Sequence, residues 1–168
     1  MYKSGFTKIE ILIIATIVGV LGLSAVFAVT TARSRTRDAV RMSDVRQVQA
    51  GLEVYFIGNN AYPESLDYMA LGTATTKCLT QNGFTSNCTS GAYLEAVPSA
   101  PSAGLAGLSS CLGVSDAYCY LAQNGDYRIQ FELEHNNSLV GLQKGANCAT
   151  QDGLKSGECS ALPIGGSN

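Results

Sequence analysis

The richest covalent chemistry in this chain lies in six cysteines, Cys78, Cys88, Cys111, Cys119, Cys148 and Cys159, all in the last 91 of its 168 residues. An even number of cysteines confined to one part of a chain reads as disulfides made in an oxidising compartment. None stands in a C-x-x-C pair, so a zinc site or a dithiol redox centre has no support. Many pairings are open to six cysteines, and the sequence does not choose among them. The spacing favours the local one, Cys78 with Cys88, Cys111 with Cys119 and Cys148 with Cys159, each clipping a short loop. The single histidine, His135, falls in a polar turn with no nucleophile near it, and it reads as a bystander. Asp116, Asp126 and Asp152 match no calcium-loop spacing. The sequence holds no G-x-S-x-G elbow, no P-loop and no H-E-x-x-H. No catalytic residue, no metal and no cofactor is expected. Asn87-Cys88-Thr89 and Asn136-Asn137-Ser138 fit the glycosylation sequon, a pattern that arises readily by chance.

Charge is distributed unevenly. Residues 1–49 carry seven Lys/Arg against three Asp/Glu, and residues 50–168 carry four against ten. The acidic majority presents no field for nucleic acid over the folded part. Between Ile11 and Ala32 there is no charged residue at all. As a helix, that stretch spans about 33 Å at roughly 1.5 Å per residue, enough to cross a hydrocarbon core of about 30 Å. It is longer than the apolar core of a secretory signal and begins beside a carboxylate, Glu10, which argues against an ordinary cleaved signal peptide. A membrane-spanning helix is expected.

Nothing interrupts helix after Ala32. Residues 33–57 contain no proline and one glycine, Gly51. Met42, Val45, Val48, Leu52 and Tyr55 recur on one helical face, and Asp38 and Arg41 are expected to pair on the polar side. Gly58-Asn59-Asn60 and Pro63 supply the stop. One helix over about 11–57 is therefore expected, apolar all round in its first half and amphipathic in its second. Residues 64–116, rich in Gly, Ser, Thr and Ala, read as short elements and loops. The stretch 117–122 reads as a strand, Asn124-Gly125 as a hairpin turn and 127–134 as the return strand. In that return strand Tyr127, Ile129, Phe131 and Leu133 are expected to face inward, with Arg128, Gln130, Glu132 and Glu134 in water. A third strand is expected at 138–143, with 144–168 a loop held by its cysteines. The fold class is α+β, the second half of the long helix covering a small antiparallel sheet whose loops are clipped by disulfides.

The first ten residues add a motif. Met1-Tyr2-Lys3-Ser4-Gly5 is a short basic leader, and Phe6-Thr7-Lys8-Ile9-Glu10 precedes the apolar run. This resembles the class III signal of type IV pilins and type II secretion pseudopilins. Asn59-Asn60-Ala61-Tyr62-Pro63 is similar to the Asn-x-x-Tyr-Pro ending of the long helix in that family. The resemblance covers residues 1–63 closely and 117–143 loosely. It implies the type IV pilin fold, with 1–5 a leader, 6–32 a transmembrane and polymerisation helix, and 33–168 a soluble head. It further implies cleavage between Gly5 and Phe6 by a prepilin peptidase, N-methylation of Phe6, and a Glu10 carboxylate that pairs with the amino terminus of a neighbouring subunit's Phe6. Membrane lipid before assembly, other pilin subunits and an inner-membrane assembly machinery are the implied partners. The chain would start in the bacterial cytoplasmic membrane as a single pass with its C-terminus outside, and end in an extracellular pilus.

Two features depart from that pattern. The apolar run lacks the helix-breaking proline common in the family, so any local melting is displaced toward Gly19 and Gly22, each costing roughly 1 kcal/mol of helix propensity. Arg33, Arg35, Arg37 and Arg41 sit on the outer side, against the positive-inside tendency. They read either as a solvated collar or as partners for anionic headgroups or acidic neighbours. Three functions remain open at this point: a type IV pilus subunit serving adhesion, motility or DNA uptake, which the cysteine-stapled head favours; a type II secretion pseudopilin; and a non-polymerising single-span protein with a disulfide-rich binding domain.

Overall fold

The protein is described from a computed structural model, at residues 5, 7–88, 91–111 and 113–159. Helix α1 runs from Lys8 to Asn59, three residues further at its start and two at its end than the sequence pattern implies. The described residues divide into two units between Thr36 and Arg37. In the first, the apolar side chains point outward in every direction: Ile11, Leu12, Val18, Leu21 and Phe27 are all more than half exposed. The few polar side chains here turn back on their own helix. Thr16 donates to the Leu12 carbonyl at 2.8 Å, Ser24 to Val20 at 2.9 Å and Thr30 to Phe27 at 3.0 Å. Their hydroxyls therefore need no water, the condition for lying in a bilayer.

In the second unit α1 buries one stripe. Val45, Val48, Leu52 and Tyr55 are buried, while Met42 lies only half inside. At Gly51 a Cβ would stand 3.2 Å from Cβ of Leu94, where the loop crosses the helix, which is why a glycine stands there. The helix ends on side-chain and turn chemistry. Asn60 takes a left-handed φ of 53° and donates its N–H to the Phe56 carbonyl at 2.7 Å, and Asn59 Nδ2 reaches the Tyr55 carbonyl at 2.9 Å. The Tyr62 hydroxyl then folds back to Glu53 at 3.0 Å, and the Tyr120 hydroxyl holds the Pro63 carbonyl at 2.9 Å.

Among the described residues seven strands follow: β1 (Met69–Ala70), β2 (Cys78–Thr80), β3 (Gly83–Thr85), β4 (Cys119–Gln123), β5 (Asp126–Leu133), β6 (Gly145–Thr150) and β7 (Gly153–Ser156). Five of them form an antiparallel sheet in the order β1-β4-β5-β6-β7, and β2 and β3 pair as a separate hairpin. The β4–β5 turn is the Asn-Gly one, with both residues at positive φ (55° and 84°). From the sheet, Tyr120, Tyr127, Ile129, Phe131, Leu133 and Ala149 meet the stripe of α1 in one core.

Three expectations are corrected. The third strand of the meander is Gly145–Thr150, because residues 137–142 close on themselves through an Asn137–Leu142 bridge. Residues 145–150 and 153–156 are consequently strands of the sheet rather than loop. The second side of β5 is not wet: Glu132 is 3% exposed, covered by the loop over 98–110. Its carboxylate accepts the backbone N–H groups of Ala106 at 2.6 Å and Leu108 at 2.9 Å, which fixes that loop to the sheet.

Candidate functional site

The residues considered first are those that could govern insertion, assembly and the rigidity of the head. At the amino end, Thr7 caps α1. Its hydroxyl accepts the Glu10 N–H at 3.3 Å, and the Glu10 carboxylate accepts the Thr7 N–H at 3.4 Å. This reciprocal capping box serves two of the donors that a helix start leaves unpaired. This local role of Glu10 goes beyond the pairing expected from the sequence, and the Thr-x-x-Glu spacing just before an apolar run was its signal. Gly5 is exposed, with open space where a side chain would stand. Phe6 and residues 1–4 lie outside the described residues, and with them the expected cleavage and methylation site.

The arginines expected to form a collar have two different fates. Arg33 and Arg35 are exposed. Arg37 and Arg41 enter an ionic cluster inside the head. Arg37 grips Glu134 through two parallel bonds of 2.7 Å. Arg41 is 0% exposed, and from there it reaches Asp38 at 2.8 Å, Glu134 at 2.9 Å, the Ala103 carbonyl at 2.7 Å and the Pro101 carbonyl through Nε at 3.0 Å and through Nη2. The Asp38–Arg41 pair is therefore buried, where the helical pattern put it on the polar side. The physical reason is a partner 93 residues away: a carboxylate on the sheet lets the guanidinium leave water without remaining unpaired. Asp38 also accepts the backbone N–H groups of Glu134 at 2.9 Å and His135 at 3.0 Å, and His135 Nδ1 lies 3.1 Å from it. The cluster ties one turn of α1 to the end of β5 and to the 101–103 loop. Glu132 and Glu134, two residues apart at the end of β5 in an acidic segment that follows a basic helix, were the available hint.

Within this cluster the Arg37 guanidinium, then Arg41, holds the Glu134 carboxyl below its ordinary range, against the opposing effect of burial. A carboxyl whose value is lower in the folded than in the unfolded chain stabilises fully above the ordinary carboxylate range, near about 4.3 for Glu. That contribution is lost as pH falls through the lowered folded value. Unfolding measured from pH 7 down to pH 2 should therefore show a stability gap between the parent and Glu134→Gln that narrows on acidification. A gap independent of pH would rule out this ion pair as its source.

The structure joins Cys78 to Cys88, Cys111 to Cys119 and Cys148 to Cys159. Each closes a loop of about ten residues, and disulfides of that kind contribute on the order of 2–4 kcal/mol apiece by restricting the unfolded chain. Alkylation of the denatured, unreduced head should label no cysteine, and all six after reduction. Any label before reduction contradicts the three bridges. Asp116, Asp126 and Asp152 are not brought together, and among the described residues no group of three potential ligands could hold a metal ion.

Helix α1 is long and apolar enough to cross a membrane. No protein-family model matches the chain, and no solved structure does. Type II secretion system core protein G of Pseudomonas aeruginosa is 30% identical to it over 99 residues, which make up 59% of this chain and 68% of that protein. An apolar N-terminal helix, an antiparallel sheet packed on its second half and a disulfide-clipped head occur here together with that similarity.

Proposed function

The chain belongs to the pilin and pseudopilin family, and from that premise we propose that it is a pseudopilin-type filament subunit of a secretion system. In this reading residues 6–32 anchor the subunit in a bacterial cytoplasmic membrane after residues 1–5 are removed. The head, 33–168, faces outward, and the subunit leaves the bilayer to join others through its N-terminal helix. The observation that carries the reading is the 30% identity to a type II secretion core protein over two thirds of that protein's length. The outward-facing apolar side chains of residues 11–32 support it, since such a surface needs either lipid or the helices of other subunits around it.

A type IV pilus subunit is the second reading, favoured by the three disulfides. Covalent loops suit a fibre outside the cell, where a head that unfolds has no second chance. Deleting the gene separates the two. Loss of protein export with no change in surface filaments supports the pseudopilin, and loss of surface filaments with export intact supports the pilus. Intact-mass measurement of the mature subunit tests the common premise. It should lack residues 1–5 and carry one methyl group on the Phe6 amine. A mature chain still beginning at Met1 would leave a membrane protein that does not polymerise.

A further inference from the structure

Two of the most exposed large apolar side chains of the head stand at opposite ends of one strand. Leu139, 95% exposed, caps the turn that follows β5, with Val140 beside it, and Leu66, 93% exposed, stands at the lip of a groove beside the turn that precedes β5. The eight residues of β5 separate the two sites by roughly 27 Å, at about 3.4 Å per residue.

Each site is rigid before any partner arrives. The Leu139 turn is closed by Asn137 N–H to the Leu142 carbonyl at 2.8 Å and by the return bond at 3.0 Å. Leu142 roots it in the core, and Asn137 touches Met42 of α1. The groove, about 300 Å³, lies between Glu64–Leu66 and Ala122–Asn124. Its walls are held by the Ser65 N–H on the Ala122 carbonyl at 3.1 Å and by Gln123 Nε2 on the Leu66 carbonyl at 3.0 Å. Preorganised surfaces of this kind avoid the ordering cost of association. The charges beside them are opposite. Lys144 is exposed next to the knob in the chain, Glu64 is exposed in the groove and Asp67 beside Leu66 in the chain, and among the described residues none of the three has an ion-pair partner.

We infer that the Leu139–Val140 knob of one subunit seats in the Glu64–Leu66 groove of a second copy of this chain, with Lys144 against Glu64 and Asp67. The inference rests on the filament reading above and names the head-to-head contact within it. Because the two surfaces differ and lie at opposite ends of β5, the contact is heterologous rather than that of a two-fold dimer, and within a filament it repeats along the open array. A single knob and one charge pair are weak, so isolated heads stay monomeric. Heads already held side by side engage through their high effective concentration.

Zero-length carbodiimide coupling of assembled filaments, followed by peptide mass spectrometry, tests this. A link between Lys144 and Glu64 or Asp67 is expected, and the strand length makes such a link intermolecular. Lys144→Glu should lower filament yield several-fold, and Glu64→Lys with Asp67→Lys in the same chain should restore it. Leu139→Ser, on a fully exposed tip, should lower yield while leaving the head oxidised and folded. Filaments that form normally in Lys144→Glu and Leu139→Ser and give no such link overturn the inference while the filament reading stands. A link from Lys144 to a different pilin-like chain overturns the choice of partner. A parent chain that forms no polymer at all brings down the filament reading itself.

Discussion

Replacing Arg41 with Ala should destabilise the head by about 3–5 kcal/mol, the usual cost of removing one partner from a buried ionic cluster. The side chain is 0% exposed and bonds to Asp38, Glu134 and two loop carbonyls. Truncation leaves a cavity the size of a guanidinium arm and two carboxylates with fewer donors than they need. The loop over 98–110 loses its tie to α1 and is left with its bonds to the sheet side, among them the Ala106 and Leu108 N–H groups on Glu132 and the Ser109 hydroxyl on the Gln130 carbonyl. Arg41→Lys should recover little, because one ammonium cannot reach four acceptors in the fork geometry. Arg33→Ala, at an exposed position, is the control and should change stability by less than about 0.5 kcal/mol. Equal unfolding midpoints for the Arg41→Ala and Arg33→Ala heads would mean that water replaces the cluster.

Glu10→Gln should leave the subunit processed, disulfide-bonded and membrane-held, yet reduce its entry into filaments by the same order, about 3–5 kcal/mol per buried pair. In the proposed assembly the carboxylate moves from the membrane face into packed apolar helices. It stays charged there only beside a cation, for which the methylated amine of a neighbouring Phe6 is the proposed partner. The capping box sharpens this test. Glutamine can still accept the Thr7 N–H, so Glu10→Gln preserves the helix start and removes only the charge. Glu10→Ala removes both. Thr7→Ala removes the cap and leaves the carboxylate in place, at a cost of roughly 1 kcal/mol. Assembly that fails in Glu10→Gln and survives in Thr7→Ala assigns Glu10 to pairing between subunits. Normal filament yield from a strain whose only copy is Glu10→Gln would reduce Glu10 to a helix cap.

Amino-acid order alone determined the elements whose cause is local. A charge-free run of 22 residues, the absence of proline through residue 62 and the recurrence of Val45, Val48, Leu52 and Tyr55 require one long helix with two kinds of surface. Two residues at positive φ require Asn124-Gly125 or something like it, so the β4–β5 hairpin was legible from its turn. Strand β6 was not. Its sequence, Gly-Ala-Asn-Cys-Ala-Thr, is buried at five consecutive positions between β5 and β7, so no alternation marks it. Its buried Asn147 is tolerated only because its amide donates to the Gln143 and Gly145 carbonyls at 2.8 and 2.9 Å and accepts the Gln143 N–H.

The fate of the charges was the other thing left to the tertiary structure. By type, Arg41, Asp38, Glu132 and Glu134 belong at the surface. The fold buries all four side chains because each meets opposite charge or backbone donors from a segment far away in the chain. Apolar period and turn geometry act over a few residues and can be read in order. Whether a charge ends in water or inside depends on a partner some 90 residues distant, and only the folded chain brings that partner within 3 Å.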